Sequence, residues 1–389
     1  MAMGKLGAGG RGFGKQGSAH LGSASGSIGP TPGTPVLTWT SATTDLTPDG
    51  TVTFDNIPVA GDTLTSQIQA AGGDWSSPVI NTTHVITSDE DLINEIDLNN
   101  TALTAGSYDW RVRITHNGAP SDWSNVETKT LTSFTPASLT PNAWFEVRLG
   151  GLFQSNAGST AASANNDVVG YLPDQSGNSF TLTSLANDTS RPTLQGVGSF
   201  PYLNFDGVND LLRRTAALGS WAAGAASWFF AIRSGTIAAA NYLAGEYSSS
   251  NGSTMYVPGT QSMNASPFTR AGGSIRDDAG SSTGMLLNNA IQSGVFDGSD
   301  HVWGVVDNGS SLTPYLDGVA GTPVAYTRGS HVLTPSLFSI GAMLRSTNPS
   351  GVAFMPVRFY GAVLCNHVIT PTEAANLSTH LGILQGRTI

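Results

Sequence analysis

The sequence predicts an all-β chain of several domains. Three observations carry this. Only 11% of the residues are charged, while 47 glycines and many Ser, Thr and Asn fill the chain. Globular domains usually carry about a quarter charged residues, and a Gly/Ser/Thr/Asn-rich composition suits short strands and turns better than long solvated helices. Strict two-residue alternation marks the clearest segment, Thr104–Ile114, where Tyr108, Trp110, Val112 and Ile114 share one face and Asp109, Arg111 and Arg113 the other. Finally, Gly, Asn and Asp clusters separate the apolar runs, as turns separate strands.

Composition also excludes some functions. The net charge of -10 argues against nonspecific binding to nucleic acid or to an anionic membrane. A single cysteine, Cys365, rules out an internal disulfide framework and a cysteine-clustered zinc site. It lies in the apolar run Arg358–Cys365, which suits a buried thiol. No apolar run approaches the ~18 residues a membrane span needs. Lys5, Arg11 and Lys15 precede no apolar signal-peptide core. The expectation is synthesis in a cytoplasm without a signal peptide, with any outside role reached by a route such as lysis.

The 389 residues suggest two or three domains, at roughly 150 residues each. Residues 1–33 stand apart: glycine alternates with single basic or apolar residues, among them Lys5, Leu6, Arg11, Phe13 and Lys15. Glycine lets a backbone approach another surface closely, and the five larger side chains supply charge and apolar anchors, so the segment reads as a docking arm. The other reading is a free tail. Pro30–Pro35 is a stiff linker.

A first β domain spans 34–134, with strands at Val36–Thr40, Gly50–Phe54, Thr104–Ile114 and Val126–Leu131. Asp89–Ile96 carries a helix-start pattern and predicts a helical turn. A second linker, Ser133–Pro141, leads to a large β domain over 142–389. Its strands are Ala226–Ile232, His301–Val306, Thr313–Gly318, Ser336–Gly341 and Val357–Val368. One helix is predicted near the end. Thr370 and Glu373 form a Thr-x-x-Glu capping box, Pro371 takes the first helical position, and Gly382 ends it.

Two resemblances follow. Leu37-Thr-Trp39, the Leu103…Gly106-Ser-Tyr108-x-Trp-x-Val112 series and Ser121-Asp-Trp-Ser124 resemble a fibronectin type III domain, with Tyr108 at the tyrosine-corner position. The larger domain resembles the concanavalin A-like, laminin-G-like jelly rolls of tailed-phage and prophage virion proteins. The matching series, in order, runs Gly170–Asn178 with its Asp174-x-Ser-Gly-Asn178 turn, Arg191–Leu194, Tyr202–Leu211, Tyr315–Val319, Ser339–Ala342 and Ile369–Leu377. The resemblance implies a virion appendage, such as a head fibre, spike or tail adhesin. It would be docked on other virion proteins by its N-terminus and would present a lectin-like domain to a host surface glycan.

The candidate chemistry is binding, not catalysis. Glycoside hydrolysis needs two carboxyls about 5–9.5 Å apart, and Glu146, Glu246 and Glu373 are each isolated in sequence. No nucleophile elbow or P-loop is present. Aromatic faces stack on sugar rings while Arg and Asp bind hydroxyls. The small, polar residues of Tyr242–Arg276 read as a loop face, which points to Tyr247, Tyr256 and Phe268 for stacking and to Arg270 or the adjoining Asp277 for hydrogen bonds. Asp174, Asp206 and Asp210 offer hard oxygens for calcium, or else cap their own turns; no other cofactor is implied. Symmetric assembly is common for displayed appendages, and a homotrimer is the expected state. The rival readings are a polysaccharide depolymerase and a purely structural capsid decoration protein.

Overall fold

A computed structural model of the chain describes residues 34–40, 50–54, 60–86, 92–93, 103, 105–131, 134–185, 188–234, 237, 239–250, 254–263, 269–279, 285–345 and 348–389. The docking candidates Lys5, Leu6, Arg11, Phe13 and Lys15 lie outside these residues, as does Phe268. The chain divides into two compact units, Met1–Ser133 and Phe134–Ile389. Both are built of antiparallel β-sheets.

In the first unit, Gly106–His116 pairs with Thr63–Ala70 and Glu127–Leu131 in a five-stranded sheet. The predicted alternation sets its register: Tyr108, Trp110, Val112 and Ile114 are buried, and Asp109, Arg111 and Arg113 are half-exposed. Trp110 meets Trp39 edge-on at 5.3 Å and donates its indole N–H to Ser66 Oγ at 2.6 Å. Both choices suit a buried indole, which needs a ring partner and an acceptor. Beyond the Asn117-Gly118 turn, Ser121 and Ser124 hydroxyls accept the Ile114 and Val112 N–H groups, completing this strand's edge where no neighbouring strand does. On its outer face the Arg111 guanidinium lies against the rings of Trp75 and Trp123, at 3.9 and 4.0 Å.

One expectation fails in this unit. Leu92–Ile93, within the predicted helical turn, forms a short strand on Gly50–Thr53, extending the three-stranded sheet that Val36–Trp39 begins. Pairing with an open strand edge satisfies the backbone groups that the local helix pattern would otherwise have used.

The second unit packs an eight-stranded sheet against a nine-stranded one. Trp228, Phe230, Phe205 and Phe359 from the larger sheet share a core with Tyr256, Ile275, Leu287 and Phe338 from the other. The outer face of the nine-stranded sheet is covered by the helix Pro371–Ile383, whose Ala374, Leu377 and Leu381 pack on Phe229, Val302, Val363 and Cys365. Thr370 and Glu373 close the capping box at its start. The helix runs one residue past Gly382, because its last turn is closed by backbone bonds from Leu384 in helical conformation and needs no glycine. Phe134 and Leu139, from the predicted linker, pack into this same cluster. Apolar side chains in a nominal linker find an apolar surface to cover.

Tight Asp-Gly chemistry makes the hairpin between Ser311–Leu316 and Val319–Ala320: Asp317 and Gly318 both take positive φ, 49° and 80°. The Gly- and Ser-rich region after Tyr242 was expected to be a loop face. It instead forms the strands Ala244–Tyr247, Met255–Met263 and Arg270–Arg276 of the eight-stranded sheet. Close approach between the sheets explains the small residues. A Cβ on Gly259 would sit 2.4 Å from Val305 Cγ2 of the facing sheet, and one on Gly273 3.0 Å from Leu312 Cδ1 of that sheet and 2.5 Å from Leu287 Cδ2 on its neighbouring strand.

Candidate functional site

Two of the residues expected to stack on sugars, Tyr247 and Tyr256, are core residues. Tyr247 is 0% exposed and Tyr256 1%. Tyr247 packs with Met255, Leu337 and Leu344 beneath the hairpin Met343–Arg345/Asn348–Val352. Tyr256 points into the inter-sheet core, and its hydroxyl donates to Asp307 Oδ2 at 2.8 Å. Neither ring has a face for a ligand. Asp277 is also buried; it accepts the Ala279 N–H at 2.9 Å and pairs with His331 Nδ1, so it fastens a loop. Arg270 is exposed, beside Gln292 and Thr322 in a recess of about 230 Å³.

The three metal candidates do not converge. Asp174 accepts from the Trp144, Ser176 and Phe180 N–H groups at 2.7–2.9 Å and from Ser176 Oγ at 2.7 Å. A carboxylate surrounded by N–H and O–H donors caps a turn and leaves little for a cation. Asp206 and Asp210 share a second turn: Asp206 Oδ1 accepts from the Val208 and Asn209 N–H groups, and Asp210 Oδ2 from the Asp206 N–H. Burial pushes the Asp210 carboxyl up to about 6. Among the described residues no group of three His, Cys, Asp or Glu side chains could hold a metal ion. The turn-cap reading replaces the calcium reading.

Asp206 does belong to a cleft of about 700 Å³ at one end of the nine-stranded sheet. Its floor is made by the ends of Tyr202–Asp206 and Pro356–Cys365 and by Arg233 and Ser234; its walls are Ile237, Thr269 and the Phe296–Gly298 segment. Strand register brings the polar groups together. Asn204 faces Arg358, Arg358 faces Arg233, and Arg233 faces Asp300, one polar row across four neighbouring strands. Directly opposed residues point to the same side of a sheet, so this row shares a face.

Each charge in the row has a setting. Arg233 approaches Asp300 Oδ2 at 3.7 Å with its side chain 42% exposed. Tyr360 Oη donates to Asp300 Oδ1 at 3.1 Å. The Arg358 guanidinium lies over the Tyr202 ring at 4.9 Å. On the wall, Asp297 accepts from the Ser299 N–H at 2.8 Å and pairs with His301 Nε2 at 3.2 Å. Burial opposes its ionised form, but these donors outweigh that and hold the carboxyl below its ordinary range. His301 Nδ1 also meets Asp317 at 2.9 Å, and Arg387 meets the other Asp317 oxygen at 2.8 Å. The hydrogen bond to Asp317 raises the His301 pKa.

The other buried acids lie apart from the cleft. Glu246 is 0% exposed; Oε1 accepts the Gly219 N–H at 2.7 Å, Oε2 has no hydrogen-bond partner among the described residues, and burial pushes the group up to about 7. Asp307 accepts from Tyr256, Tyr326 and the Gly309 N–H, and burial raises it too. Glu146 is bound by Trp144 Nε1, His380 Nε2 and Arg148, joining the strand Ala143–Glu146 to the C-terminal helix.

Sequence reasoning missed Asn204, Arg233, Arg358 and Asp297. A signal existed: Arg233 and Arg358 each stand at the end of an otherwise apolar run, Ala226–Ile232 and Phe359–Cys365. An arginine there is costly to pack unless it reaches water or a ligand.

No protein-family model and no curated protein sequence matches the chain. Among solved structures, it is similar to the binding domain of botulinum neurotoxin serotype G, with 11% identity and a TM-score of 0.40, covering 62% of this chain and 51% of that one. It is similar to the binding domain of Paraclostridial Mosquitocidal Protein 1, with 10% identity and a TM-score of 0.42 over 64% and 53% of the two chains. It is also similar to a Trypanosoma rangeli sialidase, with 12% identity and a TM-score of 0.39 over 85% and 54%. The chain spans about half the length of each of these structures.

Proposed function

We propose that the second unit is a lectin-like, non-enzymatic carbohydrate-binding domain and that the cleft is its site. One observation carries this: Asn204, Asp206, Arg233 and Arg358 converge on one open cleft. Sugar hydroxyls both donate and accept, and planar carboxylate, amide and guanidinium groups engage neighbouring hydroxyls in pairs. Catalysis by this cleft is disfavoured. A glycosidase acid needs a raised pKa, whereas Asp297 is held low and the raised Glu246, Asp307 and Asp210 do not line the cleft. The test is a glycan microarray run beside a reducing-sugar assay on the glycans bound. Expected are binding that Asn204→Ala weakens and no release of reducing ends. Release by the wild type that Asp206→Asn abolishes would establish the depolymerase reading instead.

For the whole chain we propose a virion appendage of the tailed-phage kind, docked on other virion proteins through residues 1–33 and presenting the second unit to a host surface glycan. The glycine-alternating arm with Lys5, Leu6, Arg11, Phe13 and Lys15 and the ordered jelly-roll series support it. Deleting residues 1–30 should leave a folded protein missing from purified particles; retention on particles refutes the docking role. Sedimentation should give a homotrimer, and a monomer both free and on the particle refutes that state.

A further inference from the structure

The cleft contains one arrangement that hydroxyl binding alone does not call for. Arg233 and Arg358 stand directly opposite one another on neighbouring strands. A register shift puts them there. Ala231 faces Gly361, but the next residue, Ile232, faces Phe359, which sets Arg233 against Arg358. Continued without the shift, the register would place Arg233 opposite Phe359. Like charges directly opposite in a sheet are destabilising. A bulge that creates such a pair beside a cleft is the kind of local cost that marks a site.

The surrounding acids compensate this pair only in part. Asp300 lies 3.7 Å from Arg233, beyond hydrogen-bond reach, and shares itself with the Tyr360 hydroxyl. Asp297 is engaged by His301 and the Ser299 N–H, and Asp206 Oδ1 by its own turn. Arg358 lies over the Tyr202 ring at 4.9 Å, a contact that does not neutralise it. Two adjacent guanidinium forks in a half-enclosed cleft match a planar carboxylate, which accepts two parallel N–H bonds from one fork and keeps lone pairs for the other.

Building on the lectin reading, we propose that the cleft takes a carboxylate-bearing sugar. The carboxylate would lie between the guanidinium groups of Arg233 and Arg358, with Asn204 and Asp206 binding neighbouring hydroxyls. A sulfated sugar shares the negative charge but not the planar shape, and the test separates the two.

The full-length protein is applied to a microarray of uronate polysaccharides, the same polysaccharides after carboxyl reduction, sulfated glycans and neutral glycans. Uronates should bind, and carboxyl reduction should weaken binding by ~10-fold or more, the loss expected for a charge-assisted contact. Arg233→Gln and Arg358→Gln should each cause a similar loss for uronates with no loss of thermal stability. Should either variant unfold, wild-type affinity for uronate measured from about 50 to about 500 mM salt replaces it, and a fall with salt is expected. Equal binding to the carboxyl-reduced forms, or no salt dependence, overturns the carboxylate inference and leaves the lectin reading standing. A preference for sulfated glycans overturns the carboxylate assignment. Binding to no glycan overturns both.

Discussion

Replacing Tyr256 separates a core residue from a sugar platform. Its ring meets Trp228 at 5.5 Å and Trp221 at 6.2 Å, both edge-on, and its hydroxyl donates to buried Asp307. Tyr256→Phe keeps the ring and removes one bond to that carboxylate, which retains Tyr326 and the Gly309 N–H. Losing a hydrogen bond to a charged group costs about 1.5–3 kcal/mol. Tyr256→Ala also empties a space the size of an aromatic ring, and comparable truncations cost about 3–5 kcal/mol. In a domain of this size each kcal/mol lowers Tm by about 2–4 °C. The expected falls are therefore about 3–12 °C for Phe and about 6–20 °C for Ala, read by scanning calorimetry at neutral pH. Glycan binding measured well below the transition should be unchanged in Tyr256→Phe. A Tyr256→Ala protein that melts within about 2 °C of wild type but no longer binds glycan would refute the burial argument.

Three other outcomes follow from the same geometry. Glu246 titrates near 7 in the fold against an ordinary 4.5; the folded state holds its proton longer, so stability falls as pH rises through that window, by about 3 kcal/mol at completion. Glu246→Gln should flatten the fall and raise stability at pH 8, and an unchanged slope would count against it. His301 is raised, so its contribution is complete below its ordinary 6.5 and lost as pH climbs through the folded value, whereas the depressed Asp317 contributes above its ordinary 3.8 and loses that as pH falls. Denaturant titrations should thus show His301→Ala most damaging near pH 5 and least at pH 9; equal damage at both would sink the ion-pair account. Thr370→Ala removes the helix cap and should cost about 1 kcal/mol, or about 2–4 °C in Tm; no change would mean that the helix is held by packing alone.

What was legible in the sequence is what short-range chemistry decides. Alternation over Gly106–His116 revealed a strand and its buried face, because successive side chains in a strand must point to opposite sides. Thr370, Pro371 and Glu373 announced the helix start, because the first turn leaves N–H groups that only nearby acceptors reach. Asp317-Gly318 was misplaced: the strand predicted over Thr313–Gly318 stops at Leu316, and the Asp-Gly pair turns the hairpin because both residues accept positive φ.

The misreadings share one cause. Gly259, Gly272 and Gly273 look like loop residues in the sequence, yet they lie in strands where the facing sheet leaves Gly259 no room for a Cβ and Leu287 on the neighbouring strand leaves Gly273 none. Tyr247 and Tyr256 looked available because their neighbours are small, when those neighbours are small because the rings and the sheets fill the space. The cleft depends on pairings between distant segments. Arg233 and Arg358 belong to different runs, and only the register shift beside Ala231 sets them side by side. The sequence by itself therefore determined the all-β class, the alternating strand Gly106–His116 and the start of the C-terminal helix, each a property of a few adjacent residues. Which face is buried, which aromatic is core and which charges meet at the cleft were left to the tertiary structure, because they depend on the partner each strand finds across the sheet.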